Sequence, residues 1–198
     1  MFKLGITGGI GSGKSTASEF FKKKGAVVFD ADSEAKNLFT NNPELTQRVI
    51  TTFGTQITNN NQLDLKRLSE LVFSSKFLQN QLNEIIWPEV SKLMKKAAQI
   101  AENEGIKLFI VDAALLLEAG FTKYFDSILL ITADKYIRIR RILNRKNIPE
   151  NQIENRMSLQ MPELEKKKIA DTSIENNGSI LDLHEELTDY LESLNINY

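Results

Sequence analysis

A glycine-rich segment near the start of the chain has the residue types and spacing of a phosphate-binding loop. Residues 8–15 read G-G-I-G-S-G-K-S and match the pattern G-x-x-x-x-G-K-[S/T]. An apolar run precedes the segment and an amphipathic stretch follows it, which argues against a chance match in a glycine turn. Backbone N–H groups of such a loop surround an anion, and the next helix adds the positive end of its dipole. We therefore expect a nucleoside triphosphate site, although the loop alone does not separate kinases, GTPases and motor ATPases.

The residues of this loop are expected to have distinct roles. Lys14 should reach the β- and γ-phosphates and act in catalysis, and Ser15 should be a ligand of Mg²⁺. The metal ion would bridge phosphate oxygens and spread the negative charge that repels a nucleophile. The expected nucleotide-binding residues of the loop are Gly9, Gly11, Ser12, Gly13, Lys14, Ser15 and Thr16.

Acidic residues come at the ends of two other apolar runs. Asp30 and Asp32 end the second run, and residues i and i+2 of an extended chain point to the same side, so their carboxylates would converge. They could orient an acceptor hydroxyl, take its proton or hold Mg²⁺ through water, whereas Asp32 could instead cap the helical run that follows. Asp112 directly follows the third run, where an acid either holds Mg²⁺ through water or caps a turn.

Basic residues are concentrated between positions 136 and 156. Arg138, Arg141 and Arg145 are three and four residues apart, so they share one face of a helix and could clamp a phosphoryl group. The alternative is a basic face that only meets solvent. The whole cluster consists of Arg138, Arg140, Arg141, Arg145, Lys146 and Arg156.

The elements that must position these residues alternate between strand and helix. Short apolar runs without alternation, which suit strands buried on both faces of a parallel sheet, lie at residues 4–7, 26–29, 108–111 and 127–132, with a weaker fifth at 169–174. Helical spacing occurs at residues 14–24, 64–73, 78–101 and 136–146. This alternation predicts βαβ units and therefore an α/β fold.

The organisation of the chain follows from these elements. Most of the stretch between the second and third strands has helical spacing, and we interpret residues 33–105 as a helical insertion within a single domain, 1–198. Pro149 and Pro162 bracket the second part of the basic cluster, as expected of a lid that moves as a unit, so residues 136–162 are assigned to a lid.

The composition excludes several kinds of catalytic site. The chain of 198 residues has no Cys and one His, His184, which excludes disulfides, thiolate nucleophiles and sites with several imidazoles. The net charge of -1 gives no general attraction to nucleic acid, and no apolar run is long enough to span a membrane. Without a signal peptide pattern at the start, the cytoplasm is the expected location.

Taken together, these segments resemble the dephospho-CoA kinase family, whose members complete coenzyme A synthesis. The resemblance runs nearly end to end and is carried by residues 5–16, 28–32, 63–73 and 112–120, Arg141 with Arg145, Gln160, and residues 170–178. It implies a three-layer P-loop NTPase fold of the nucleoside-monophosphate-kinase type, with a five-stranded parallel sheet, a helical acceptor-binding insertion and a lid. It also implies ATP as the donor, Mg²⁺ as the metal and the ribose 3′-hydroxyl of dephospho-CoA as the acceptor.

The resemblance also assigns roles at matching positions. Asp32 would be the acidic residue that faces the 3′-hydroxyl, and Arg141 and Arg145 would be lid arginines, Arg141 acting in catalysis. Asn176 and Gly178 would lie near the adenine of ATP. Leu115 and Glu118 would contact the acceptor. Dephospho-CoA and ATP are then the expected partners, with no nucleic acid, membrane or obligate protein partner.

Two departures from the family pattern affect the acceptor side. Trp87-Pro88 stands where the family usually has His-Pro, and an indole can stack but cannot titrate. Ala114 stands where the family motif Asp-x-Pro-Leu-Leu has its proline, which removes a rigid φ angle. The phosphate loop is unaffected, so the expected reaction type does not change.

Other functions remain as alternatives. A kinase for another small metabolite or a nucleoside monophosphate would share the loop, and an acceptor screen separates the two. A GTPase-like switch would need a guanine-reading Asn/Thr-Lys-x-Asp element, and residues 144–147, N-R-K-N, lack its acid. A non-catalytic nucleotide-binding module would have no use for Lys14, Asp32 and the arginine cluster together.

Overall fold

The computed structural model describes residues 1–145 and 150–196, without the side chains of residues 145 and 150–152. The strands are β1 (Phe2–Gly8), β2 (Val27–Asp30), β3 (Thr58–Asn59), β4 (Gln62–Leu63), β5 (Leu108–Asp112), β6 (Ser127–Thr132) and β7 (Thr172–Glu175). The helices are α1 (Lys14–Lys23), α2 (Ala31–Asn41), α3 (Pro43–Phe53), α4 (Leu65–Val72), α5 (Lys76–Asn103), α6 (Lys135–Arg145), α7 (Glu150–Ser158), α8 (Glu163–Ile169) and α9 (Ile180–Ser193). They form two compact units, Met1–Asp30 with Lys96–Tyr198, and Ala31–Lys95.

The first unit contains a five-stranded parallel sheet in the order β2-β5-β1-β6-β7 with helices packed against it. Its central strands are buried on both faces, which explains why they appear in the sequence as continuous apolar runs. The expected α/β class and five-stranded parallel sheet are confirmed. The core of this unit includes Leu4, Ile6, Phe21, Leu108, Ile110, Leu129, Ile131 and Leu187.

The fifth strand lies later in the chain than its apolar run predicts. Residue 169 is the last residue of α8, and β7 starts at Thr172. Asp171 lies between them and accepts a hydrogen bond from the N–H of Ile128 on its side chain, at 2.8 Å. The side chain of Asp171 therefore bonds to the start of β6, and the strand itself begins at the next residue.

The second unit consists of helices and one small hairpin. The hairpin pairs β3 with β4, and Asn60 and Asn61 form its turn with φ angles of 50° and 61°. Asparagine tolerates this left-handed conformation better than most residues, which suits these two residues to the turn. Asp64 then caps α4 by accepting from the N–H groups of Lys66 and Arg67.

One expectation about the second strand is wrong. The chain is extended only as far as Asp30, because helix α2 begins at Ala31 and places Asp32 in its first turn. The two carboxylates are therefore not related as residues i and i+2 of one strand. A carboxylate in the first turn interacts favourably with the helix dipole, so Asp32 helps to stabilise the start of α2.

None of the described helices combines the length and the apolar composition that a membrane span requires.

Candidate active site

The phosphate loop lies between the end of β1 and the start of α1. Gly11 and Gly13 have φ angles of +81° and +105°, which side chains other than glycine rarely adopt, so these two glycines shape the turn. Ser12 donates its N–H to the carbonyl of Gly9 at 3.0 Å, and the carbonyl of Gly13 accepts from Thr16 at 2.9 Å to begin the helix. The loop and helix N-terminus thus have the geometry that the sequence pattern predicts.

Side chains from distant parts of the chain bond to the backbone of this loop. The N–H of Ile10 donates to Gln160 Oε1 at 3.1 Å, and the Ile10 carbonyl accepts from Arg138 Nε at 2.9 Å. Asn176 Nδ2 donates to the carbonyl of Ser12 at 2.8 Å. The loop is therefore held by Arg138 from α6, by Gln160 after α7 and by Asn176 after β7.

Lys14 forms an ion pair with Asp112, whose Oδ1 accepts from Lys14 Nζ. The two side chains are 12% and 6% exposed. Strand β5 lies next to β1, and the register pairs Ile6 with Asp112, so the acid ends its strand beside the loop. Asp112 is the last residue of the strand rather than the residue after it.

A second buried ion pair lies in the turn that follows β5. Glu118 Oε1 accepts from Lys166 Nζ at 3.1 Å and from the N–H of Met161 at 2.8 Å. Lys166 also donates to the carbonyl of Ala114 at 3.1 Å. Burial lowers the pKa of Lys166, and Glu118 partly offsets this shift. Within the described residues, Glu118 Oε2 is buried and has no hydrogen-bond partner.

The sequence pattern does not single out Lys166, which begins a run of three lysines typical of a solvated face. Its burial depends on α8 packing beside β6, a contact that no local pattern reports.

Leu115, which is expected at the acceptor together with Glu118, is partly buried in the turn that follows β5.

The arginine helix brings two side chains to the site. Arg138 reaches the phosphate loop, and Arg141 donates to the carbonyl and Oδ1 of Asn176, at 2.9 and 3.3 Å, and to the carbonyl of Gly178 at 3.4 Å. This face of α6 therefore contacts protein groups rather than only solvent. Lys146, Pro149 and the side chain of Arg145 lie outside the described residues.

The donor atoms at the loop fit a magnesium ion. Ser15 is exposed at the N-terminus of α1 and offers a hydroxyl, and the Asp112 carboxylate lies next to Lys14. Mg²⁺ commonly takes only one or two protein oxygens and completes its octahedron with phosphates and water. Accordingly, no cluster of three metal-binding side chains is needed here, and none occurs in the described part of the chain.

Asp32 belongs to the second unit, where it is exposed in the first turn of α2 with Glu34. The site in the first unit thus gathers the loop, Lys14, Asp112, Arg138, Arg141 and Asn176. This arrangement can bind the polyphosphate of a nucleotide, because cations, backbone N–H groups and a helix N-terminus meet at one edge of the sheet.

Comparisons with known proteins give relatives that match nearly the whole chain. The family model described as dephospho-CoA kinase matches residues 2–182. The dephospho-CoA kinase of Fusobacterium nucleatum is 36% identical over 192 residues, which cover 96% of this chain and 97% of the relative. The solved dephospho-CoA kinase of Campylobacter jejuni is 26% identical, with a TM-score of 0.67 and coverage of 97% of this chain and 96% of that chain. Shikimate kinase from Acinetobacter baumannii, 15% identical with a TM-score of 0.58, covers 100% of this chain and 96% of that chain, and shows the fold alone.

Proposed function

Because this chain belongs to the dephospho-CoA kinase family, we infer that it transfers the γ-phosphoryl group of ATP to the ribose 3′-hydroxyl of dephospho-CoA. The products are coenzyme A and ADP. The phosphate loop, whose lysine Lys14 is paired with the strand-end acid Asp112, is the observation that carries the transfer of a phosphoryl group, and the match to the family supports dephospho-CoA as the acceptor. Phosphoryl transfer depends mainly on positioning and on stabilising charge, and this part of the chain supplies both.

On the donor side, the loop and α1 bind the triphosphate. Lys14 neutralises charge at the β- and γ-phosphates, and the backbone N–H groups of the loop hold the phosphate oxygens in place. Asn176 and Gly178 are proposed to lie near the adenine, and the bond from Asn176 to the Ser12 carbonyl shows that this segment is next to the phosphate loop. Ser15 and Asp112 are the residues that would hold Mg²⁺, and when bound the ion would neutralise the negative charge that develops on the phosphates during transfer.

On the acceptor side, we propose that Asp32 orients the 3′-hydroxyl or accepts its proton. Leu115 and Glu118 are proposed to contact dephospho-CoA, and the bonds of Glu118 to Lys166 and Met161 would hold its carboxylate in place. Arg141 and Arg145 are proposed to bind the transferring phosphoryl group as it leaves ADP. Residues 33–105 would form the acceptor-binding insertion and residues 136–162 the lid, in a protein of the cytoplasm.

An assay of ADP release with purified protein, ATP and Mg²⁺ tests this function. Turnover should be fastest with dephospho-CoA, and AMP, shikimate and pantothenate serve as competing acceptors. The Lys14→Ala variant should lose turnover by about 10³-fold, because a charge that stabilises the transition state is removed. Equal or faster turnover with another acceptor would contradict the proposed substrate, and normal turnover by Lys14→Ala would contradict the proposed site.

A further inference from the structure

Both main-chain polar groups of Ile10, at the tip of the phosphate loop, bond to side chains more than a hundred residues away. The N–H donates to Gln160 at 3.1 Å, and the carbonyl accepts from Arg138 Nε at 2.9 Å. A loop residue bonded in this way on both sides has little freedom to turn its peptide groups. The tip of the loop is therefore held from outside by side chains that are not part of its sequence motif.

Gly9 provides the space that the Arg138 guanidinium occupies. A Cβ atom at Gly9 would lie 2.6 Å from Cζ of Arg138 and would overlap Nη2. Gly9 is not among the glycines with positive φ, so its backbone conformation is open to alanine. A side chain at this position would therefore require the Arg138 guanidinium to move, whereas the shape of the turn does not require glycine here.

The charge of Arg138 is partly removed from water. Its side chain is 12% exposed, and burial lowers the pKa of the guanidinium, an effect that Glu163 partly offsets. The carboxylate of Glu163 lies 3.6 Å from Nη1, while Nε is used on the loop. A hydrogen bond from a charged donor to the Ile10 carbonyl is stronger in this partly buried environment than it would be in bulk water.

We propose that Arg138 is a positioning residue that holds the phosphate loop in its anion-binding form, with Gln160 as its partner and Gly9 as the residue that admits its guanidinium. Because the loop is ordered before the nucleotide arrives, binding of ATP loses less conformational entropy. The proposal rests on the proposed function only for the identity of the nucleotide.

The first test compares Arg138→Ala with Arg140→Ala, a matched control that removes an exposed arginine from the same helix. The affinity for ATP is measured by calorimetry without acceptor, and the KM values for ATP and dephospho-CoA are measured at steady state. Arg138→Ala should raise the Kd and KM for ATP by about tenfold or more, as for loss of a hydrogen bond from a charged group. The KM of Arg138→Ala for dephospho-CoA should change by less than about twofold. The Kd of the control Arg140→Ala for ATP should also change by less than about twofold.

The second test is a double-mutant cycle between Gly9 and Arg138. Gly9→Ala should displace the guanidinium and raise the Kd for ATP by about fivefold or more. In the Arg138→Ala background the same change should add less than about twofold, because the clash no longer exists. If Gly9→Ala raises the Kd for ATP equally in both backgrounds, its effect does not act through Arg138 and the proposed link between Gly9 and Arg138 is wrong.

Gln160→Ala keeps the proposal testable if Arg138→Ala does not fold, and it should also raise the Kd for ATP. The wild-type chain separates the two levels of inference. If it binds ATP and Arg138→Ala binds equally well, the role of Arg138 is disproved while the kinase function stands. If the wild-type chain does not bind ATP, both are disproved.

Discussion

Lys166 Nζ lies 3.1 Å from Glu118 Oε1, and the two side chains are only 2% and 10% exposed. The lysine belongs to α8, and the glutamate belongs to the turn that follows β5. Through this pair, and through the bond from Lys166 to the Ala114 carbonyl, α8 is attached to the segment that follows Asp112. A buried pair of this kind is costly to break, because the remaining charge has no water to replace its partner.

Replacement of Lys166 by methionine should therefore destabilise the protein. In Lys166→Met the Glu118 carboxylate stays buried and keeps only one of its present partners, the N–H of Met161. The free energy of unfolding should therefore fall by about 3 kcal/mol. Urea denaturation of Lys166→Met and of Lys168→Met measures this, since Lys168 is an exposed member of the same run. The control should change by less than about 0.5 kcal/mol, and equal stability of the two variants would show that the pair contributes nothing.

The same lysine should make stability depend on pH in the alkaline range. Burial lowers the pKa of Lys166 below its ordinary value of 10.5 in the folded state, so the unfolded state binds more protons between the two values. The free energy of unfolding of the wild type, relative to Lys166→Met, should consequently rise as the pH approaches 10.5. Paired urea titrations at a series of alkaline pH values measure this difference in the free energy of unfolding. If the difference falls as the pH rises, the pKa of Lys166 is not lowered in the folded state.

Asp32 provides a test of the acceptor chemistry. If its carboxylate orients or deprotonates the acceptor hydroxyl, Asp32→Asn should lower kcat by about 10²- to 10⁴-fold while the Kd for ATP stays nearly constant. Glu34→Gln is the matched control, because Glu34 is the other acid in the first turn of α2. If both variants lower kcat only slightly, Asp32 does not act on the acceptor hydroxyl and serves only to stabilise the N-terminus of α2.

Arg141 tests whether the shape of a guanidinium matters. Its two terminal nitrogens contact Asn176 and Gly178, and a lysine cannot reproduce such forked bonds although it keeps the charge. Arg141→Lys should lower kcat by about tenfold, which corresponds to about 1.4 kcal/mol of transition-state stabilisation. Steady-state kinetics of Arg141→Lys beside Arg140→Lys, a change at an exposed position of α6, measure this. An unchanged kcat for Arg141→Lys would remove Arg141 from the catalytic residues.

The phosphate loop could be predicted from the sequence because its conformation is determined locally. Gly11 and Gly13 are needed at positive φ, and the apolar run before them and the helical spacing after them define the strand and the helix. The central strands of the sheet could be predicted for the same reason, since a strand buried on both faces must be apolar throughout, whereas the edge strand β7, which reads T-S-I-E, has no such signal. The local signal is ambiguous at Asp30 and Asp32, where the sequence predicts an extended chain for two residues beyond the actual end of β2 at Asp30.

The partners of these residues were decided only by the tertiary structure. Lys14 meets Asp112, which lies 98 residues further along the chain, because β5 is placed beside β1 in the sheet. Arg138 and Gln160 reach Ile10 across 128 and 150 residues, and Lys166 is buried although its sequence neighbours are exposed lysines. Periodicity in a sequence reports which face of an element avoids water, because that preference is set residue by residue. Which elements then become neighbours depends on the packing of the whole sheet and its helices, and that packing determines which charges meet.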